Sequence, residues 1–270
     1  MQGQDLSSVD IGPDGLFADR RFALVDTETG KVASGKDPRR WAGMLSFRAT
    51  YDDAAAECEI HVGDDVFSSS DPRVHGALST ALGRDVRLAR TVPEAASYDD
   101  VWPAIDGLAP QSLIDDSRTG TTDDGLAVSS MPVGLLAPGT FQDVAPVTVL
   151  TTASLRRLRE ILPDGDGHPD RFRANLVVDL PEAEGFVEND WSGRTLSVGD
   201  CILDILSPTP RCVMVTLPQS HLPEDQNLLR ALAKTNRVDI PGGGVFTCLG
   251  AYGLVREAGA VRTGDPVRIA

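Results

Sequence analysis

Residues 199–219, GDCILDILSPTPRCVMVTLPQ, constrain the architecture more than any other stretch of this chain. Apolar and β-branched residues fill 201–206 and 213–217, which predicts two strands. The prolines between them predict a turn over 207–210, because proline lacks the N–H that a central strand must donate. Arg211 and Cys212 then emerge together at a strand mouth, where a loop is held by a rigid sheet. A fixed positive charge beside a thiol favours the thiolate, which is both the nucleophile and the soft-metal ligand. The dipeptide alone leaves a plainer reading open, with Cys212 as one more small apolar residue in a core.

The chain has 270 residues, 41% of them apolar, enough for one large domain or two modest ones with a sizeable core. It contains no run of eighteen apolar residues and no secretory pattern at its start, so a soluble cytoplasmic protein is the expectation. A net charge of -15 argues against nucleic acid or an anionic membrane as partner, since phosphate binding needs clustered Lys and Arg. Only Lys31, Lys36 and Lys234 are lysines; the other 22 basic residues are arginines, so an anion site here would be built from planar bidentate donors. The four cysteines, Cys58, Cys201, Cys212 and Cys248, are widely spaced. The four histidines, His61, His75, His168 and His221, lie in no HExxH pattern. Neither a zinc site of ordinary spacing nor a disulfide framework is expected.

Along the chain, residues 21–26 and 31–34 read as a hairpin about a turn at 27–30, and 46–51, 58–62 and 84–89 as further strands. Val74, Leu78 and Leu82 mark one face of a helix that stops before Gly83. Residues 91–142, with three Asp-Asp pairs and many Gly and Pro, read as a long irregular crossing, most mobile between 112 and 130. A strand at 146–150 leads into a helix reaching 161–162, with Thr151 or Thr152 as its N-cap and its free N–H groups open to an anion. In HPDRFRANLVVD, residues 175–178 form a strand; if its approach is extended, Arg171 and Arg173 share a face. A strand at 195–198, a helix at 227–234, and strands at 245–248, 252–255 and 261–269 complete the pattern. The fold class is α+β with a β majority.

Arg20, Arg171, Arg173 and Arg211 thus fall at strand ends in three separate segments of an acidic protein, with Thr151-Thr152 at a helix start. Convergence of that set would hold a phosphate-bearing ligand. The pieces GLFADRRFALVDTETGKV, VTVLTTASLRRL, RFRANLVVD with VENDW, LSVGDCILDILSPTPRCVMVTLPQ and GAVRTGDPVRIA, spanning nearly the whole chain, resemble the MOSC family, the molybdenum cofactor sulfurase C-terminal type. The resemblance is to bacterial relatives of the mitochondrial amidoxime-reducing component.

That resemblance implies a MOSC-type β-barrel at 143–270, an N-terminal β-barrel-like subdomain at 1–90 and the acidic connection at 91–142. It also implies molybdopterin as cofactor, with the molybdenum-ligating cysteine at Cys212. Arg20 of the DR element and Arg173 of the FRPN element would hold the pterin phosphate side, Asn175 matches the family asparagine, and Asp190 falls on the acidic position near the metal. The implied activity is reduction of N-hydroxylated small molecules by oxygen transfer, fed by a separate electron-transfer protein. Two departures loosen the expected cofactor contacts. The family's leading strand with its Lys-Ser pair has no counterpart ahead of Met1-Gln2-Gly3, and Ala174 replaces the FRPN proline. Two other classes stay open on the residues: a carrier of the cofactor or of persulfide sulfur on Cys212, and a metal-free cysteine enzyme or phosphometabolite-binding module.

Overall fold

The computed structural model describes residues 1–52, 57–162, 165–219 and 222–270; His221 lies outside them. Its centre is a seven-stranded sheet that curls into a nearly closed barrel. The strand order is Leu176–Val178, Val147–Thr151, Gly244–Glu257, Cys201–Pro210, Thr195–Val198 and Val267–Ile269, with Arg237–Ile240 also pairing the long strand. All neighbours are antiparallel except Val147–Thr151 with Leu176–Val178, whose parallel pairing is bridged by the helix Thr152–Ile161. The β-rich α+β class expected above is therefore the observed one.

The 14-residue strand Gly244–Glu257 runs unbroken where two separate strands were expected. It bends at Gly250, whose φ of +80° is open to glycine, and a Cβ there would lie 2.6 Å from the Val149 carbonyl oxygen. Its partner corrects a second expectation. The predicted turn at 207–210 is strand, because Cys201–Pro210 continues through Pro208 and Pro210 by shifting register at Ile205/Ser207 and Pro208/Pro210. Bulges leave residues without ladder bonds, so the missing proline N–H costs nothing there. Residues 213–216, expected as strand, form a 3₁₀ turn.

Two apolar cores flank the sheet. One holds Ile11, Val147, Leu196, Leu203 and Ile205; the other packs Leu150, Leu158 and Phe172 on Leu228, Leu229 and Leu232 of the helix Gln226–Thr235. Each fully buried leucine there contributes roughly 1.5–3 kcal/mol.

The N-terminal part packs the helix Arg73–Leu82 against the sheet Arg48–Asp52, Glu57–Val62 and Asp65–Ser68 and the pair Ala23–Asp26 and Val86–Ala89. The return arm of the expected hairpin is reduced to a bridge between Val25 and Val32. Strand Ser8–Gly12 pairs with Gly259–Arg262, so the two ends of the chain share a sheet.

Residues 91–142 are not an irregular crossing. Ser97–Val101, Ala127–Pro132 and Arg118–Thr121 form an antiparallel sheet beside the helix Gln111–Ser117. Alternation in Ser97–Val101 turns Tyr98 and Asp100 to one side, and the Val101 N–H donates to the Lys36 carbonyl at 3.0 Å. These contacts bring the middle of the chain to the mouth of the barrel.

Candidate functional site

Arg211 and Cys212 follow the strand Cys201–Pro210 in extended backbone, so their side chains diverge although they are adjacent in sequence. Arg211 turns inward: its Nε donates to the Leu249 carbonyl at 2.7 Å, its Nη1 to the Phe172 carbonyl at 3.1 Å, and its guanidinium lies over the Phe172 ring. Its Nη2 is buried without a partner. Cys212 faces a cavity of about 1320 Å³, which Arg20, Arg173, Asn175 and Arg211 also line.

Burial pushes the Cys212 thiol up to about 11; Lys36 opposes that rise, while Asp100 and Asp143 add to it. The Met214 main-chain N–H, offered by the 3₁₀ turn, also favours the anion. The leading cation against Cys212 is therefore Lys36, although Cys212 and its sequence neighbour Arg211 also feel each other. An un-ligated thiol in this setting stays protonated at neutral pH, and a bound metal would deprotonate it.

The cavity also holds a cationic cluster. Arg20 and Arg173 hold left-handed backbone, with φ of 49° and 51°, a conformation that costs a non-glycine residue about 1–2 kcal/mol. Burial, then the like charge of Arg20, lowers Arg173 to about 10. Asp19 ties the group together: it pairs with Arg20 and accepts from Asn175 Nδ2 at 2.9 Å, while Asn175 Oδ1 accepts from the Thr148 N–H at 2.9 Å. Burial works to raise the Asp19 carboxyl; Arg20, Asn175 and Arg173 outweigh it and hold it below its ordinary value. Arg173 donates to the Met1 carbonyl. Two clustered guanidiniums with one carboxylate between them leave positive charge for an anion.

The cluster beside Cys212 was not found from the sequence. Lys36 Nζ lies 2.8 Å from Asp143 Oδ2, 3.4 Å from Asp100 Oδ2 and 3.0 Å from the Tyr98 hydroxyl, and Tyr98 donates to Asp143 Oδ1. Burial would raise Asp143, but Lys36 and Tyr98 hold it below its ordinary value. Asp100, by contrast, is pushed up to about 6, by burial first. The tyrosine-aspartate alternation and one of only three lysines were the available signals.

Four predicted site residues are not brought to this cavity. Arg171 and Arg173 do not share a face, because Pro169–Phe172 is a 3₁₀ turn rather than extended chain. Arg171 is wholly buried, with its guanidinium on Asp166 at 2.8 Å and on the carbonyls of Val215, Leu217 and Pro223. Thr151 spends its hydroxyl capping Ser154, and Thr152 bonds Asp179 and the Leu180 N–H. The N–H groups of that helix start are not open to an anion: the Thr151 N–H and the Ser154 hydroxyl both donate to buried Glu188. Asp190 is exposed at the end of the turn Val187–Asp190, so the acids next to Cys212 are Asp100 and Asp143.

Among the described residues no group of three or more His, Cys, Asp or Glu could hold a metal ion. A metal bound through Cys212 would thus bring its remaining ligands on an organic carrier, and the arginines and the free Arg211 Nη2 suit an anionic one. No described helix is long and apolar enough to cross a membrane.

Known proteins are similar to part of this chain. Mitochondrial amidoxime-reducing component 1 of Danio rerio is 31% identical over 128 residues, 47% of this chain and 38% of that protein, so the match spans well under half of the relative. The YUAD protein from Bacillus subtilis is similar at 17% identity and a TM-score of 0.37, over 48% of this chain and 67% of that one. YiiM from Geobacillus stearothermophilus is similar at 15% and 0.32, over 47% and 54%. Residues 138–268, which hold the barrel, Arg173, Asn175 and Cys212, match the MOSC domain family, and that part of the chain is a MOSC domain.

Proposed function

We propose that this protein binds a molybdenum cofactor through Cys212 and reduces N-hydroxylated small molecules. The observation that carries the reading is the convergence of Arg20, Arg173, Asn175 and Cys212, from segments far apart in the chain, on one cavity. The relative's name, an amidoxime-reducing component, supplies the substrate class.

In this reading Cys212 is the protein's ligand to molybdenum, and Arg20 and Arg173 hold the anionic end of the pterin. Arg211 Nη2 is a further buried donor with nothing yet to bond. The cofactor, when bound, supplies two-electron chemistry coupled to oxygen-atom transfer. The chain supplies the rest. Lys36 and Tyr98 occupy both oxygens of Asp143 and fix that carboxylate beside Cys212. Walls of protein around Cys212 limit its access to water, which strengthens every charge interaction at that end. Removal of an N-hydroxyl oxygen as water consumes two electrons and two protons. The electrons would come from a separate electron-transfer protein and the protons from solvent through the open cavity.

The test is elemental analysis of protein made in a cofactor-competent host, followed by benzamidoxime turnover with a chemical reductant. Near-stoichiometric molybdenum, its loss in Cys212→Ala, and turnover of benzamidoxime are expected. Molybdenum retained in Cys212→Ala, or none in the wild type, overturns the reading. Stoichiometric molybdenum without turnover of any N-oxygenated compound identifies a carrier instead.

A further inference from the structure

The cavity holds two charge clusters. Arg20 and Arg173 form one; in the other, two carboxyls, Asp100 and Asp143, face the Lys36 ammonium, and Asp143 also feels Arg20. The two acids are not equivalent. Asp143 has both oxygens engaged, one by Tyr98 and one by Lys36 at 2.8 Å. Asp100 is 5% exposed, and among the described residues its carboxyl pairs with Lys36 at 3.4 Å, beyond the range of a good charge-assisted hydrogen bond. Lys36 cannot improve on that, because its other donors lie on Asp143 and the Tyr98 hydroxyl. Asp100 therefore keeps unfilled acceptor capacity in a buried position that lines the cavity near Cys212.

The walls add a second constraint. Eight large apolar side chains of the described residues are exposed, and five of them, Leu6, Phe17, Leu135, Val177 and Leu206, line this same cavity. Exposed apolar surface gathered at a polar-floored cavity is the complement of an amphipathic ligand.

We infer that Asp100 is the specificity-determining residue of the site, accepting hydrogen bonds from an N–H-bearing head group of the amidine type carried on an apolar body. The inference takes the proposed reductase cavity as its frame and names what selects its substrate. A buried acceptor left unpaired is a strong discriminator, because a ligand lacking the matching N–H leaves it unsatisfied. N-oxides without N–H groups are therefore poor ligands, and N-hydroxyamidines and their amidine products good ones.

Benzamidine, the product-like head on an aromatic body, is the probe, and calorimetric binding to the full chain is the measurement. Wild type binds benzamidine; Asp100→Asn binds it at least tenfold more weakly; N,N-dimethylbenzamide, which has no N–H, binds weakly to both proteins. Near-UV circular dichroism of Asp100→Asn matching wild type shows that the loss is local. Equal benzamidine affinity in the two proteins, no binding to wild type, or N,N-dimethylbenzamide bound as tightly as benzamidine overturns the inference. The binding needs neither molybdenum nor turnover, so a chain that lacks the metal yet binds benzamidine through Asp100 sinks the reductase reading and keeps this one. Where turnover is present, Asp100→Asn raises KM for benzamidoxime and leaves KM for pyridine N-oxide, which has no N–H, unchanged; a parallel rise in both speaks against Asp100 reading the head group.

Discussion

Asp100 has a consequence for stability that can be measured without any ligand. Its carboxyl moves from 3.8 in the unfolded chain to about 6 in the fold, driven first by burial, opposed by Lys36 and reinforced by Asp143. A group whose folded value is raised binds more protons folded than unfolded, so its share of the stability is lost as pH climbs from about 4 to about 6. A rise of that size corresponds to roughly 3 kcal/mol. Asn is nearly isosteric and carries no charge, so Asp100→Asn removes that loss. Urea unfolding from pH 4 to 8 will show the variant close to wild type at pH 4. The gap widens as pH rises and levels off above pH 7, with the variant more stable by about 2–3 kcal/mol. A difference independent of pH, or a variant less stable at pH 7, refutes the placement of an ionised Asp100 in a desolvated cluster. A positive result also bears on function: an acid that weakens its own fold fits a binding group, since sites trade stability for chemistry.

Lys36→Met leaves buried Asp100 and half-exposed Asp143 without their counter-charge and lowers stability at pH 7 by about 1–3 kcal/mol; Lys36→Arg recovers part of it in the same urea assay. Arg171→Met strips Asp166 and three carbonyls of their donor, with a loss of about 3–5 kcal/mol but unchanged molybdenum per folded chain, because Arg171 does not reach the cavity. Arg173→Gln does the reverse, cutting molybdenum content severalfold while unfolding shifts by less than about 2 kcal/mol; full metal retention counts against the arginine cradle. Asp190→Asn, on an exposed turn, changes stability by less than about 0.5 kcal/mol and leaves benzamidoxime turnover intact.

Most individual elements were legible in the sequence, because periodicity and caps act locally. The helices Arg73–Leu82, Thr152–Ile161 and Gln226–Thr235 and the strands Thr195–Val198 and Val147–Thr151 fall within a residue or two of their expected bounds. What failed was decided by partners distant in the chain. Pro208 and Pro210 read as a turn until the strand Gly244–Glu257 supplies the bulged register that tolerates them. The acidic stretch reads as irregular until Ser97–Val101 is paired with Ala127–Pro132. Glu188 lies buried under a helix start, accepting from the Thr151 N–H and the Ser154 hydroxyl, and no local pattern marks that role.

The site divides along the same line. Arg20, Arg173, Asn175 and Cys212 were found because each sits in a motif that reads locally, whereas Lys36, Tyr98, Asp100 and Asp143 sit in none and meet only when two halves of the chain close on one cavity. Adjacency misled in one instructive case. Arg211 beside Cys212 suggested a thiolate held by its neighbour, yet in extended backbone consecutive side chains leave in opposite directions. Arg211 bonds Leu249 and Phe172, and although Cys212 and Arg211 still feel each other, the leading cation against Cys212 is Lys36, 176 positions earlier in the numbering. The C-terminal barrel thus carries the sulfur, but the electrostatics around it belong to the segments at residues 36 and 97–101. It follows that exchanging the N-terminal half should change which head groups the cavity accepts while leaving Cys212 as its ligand.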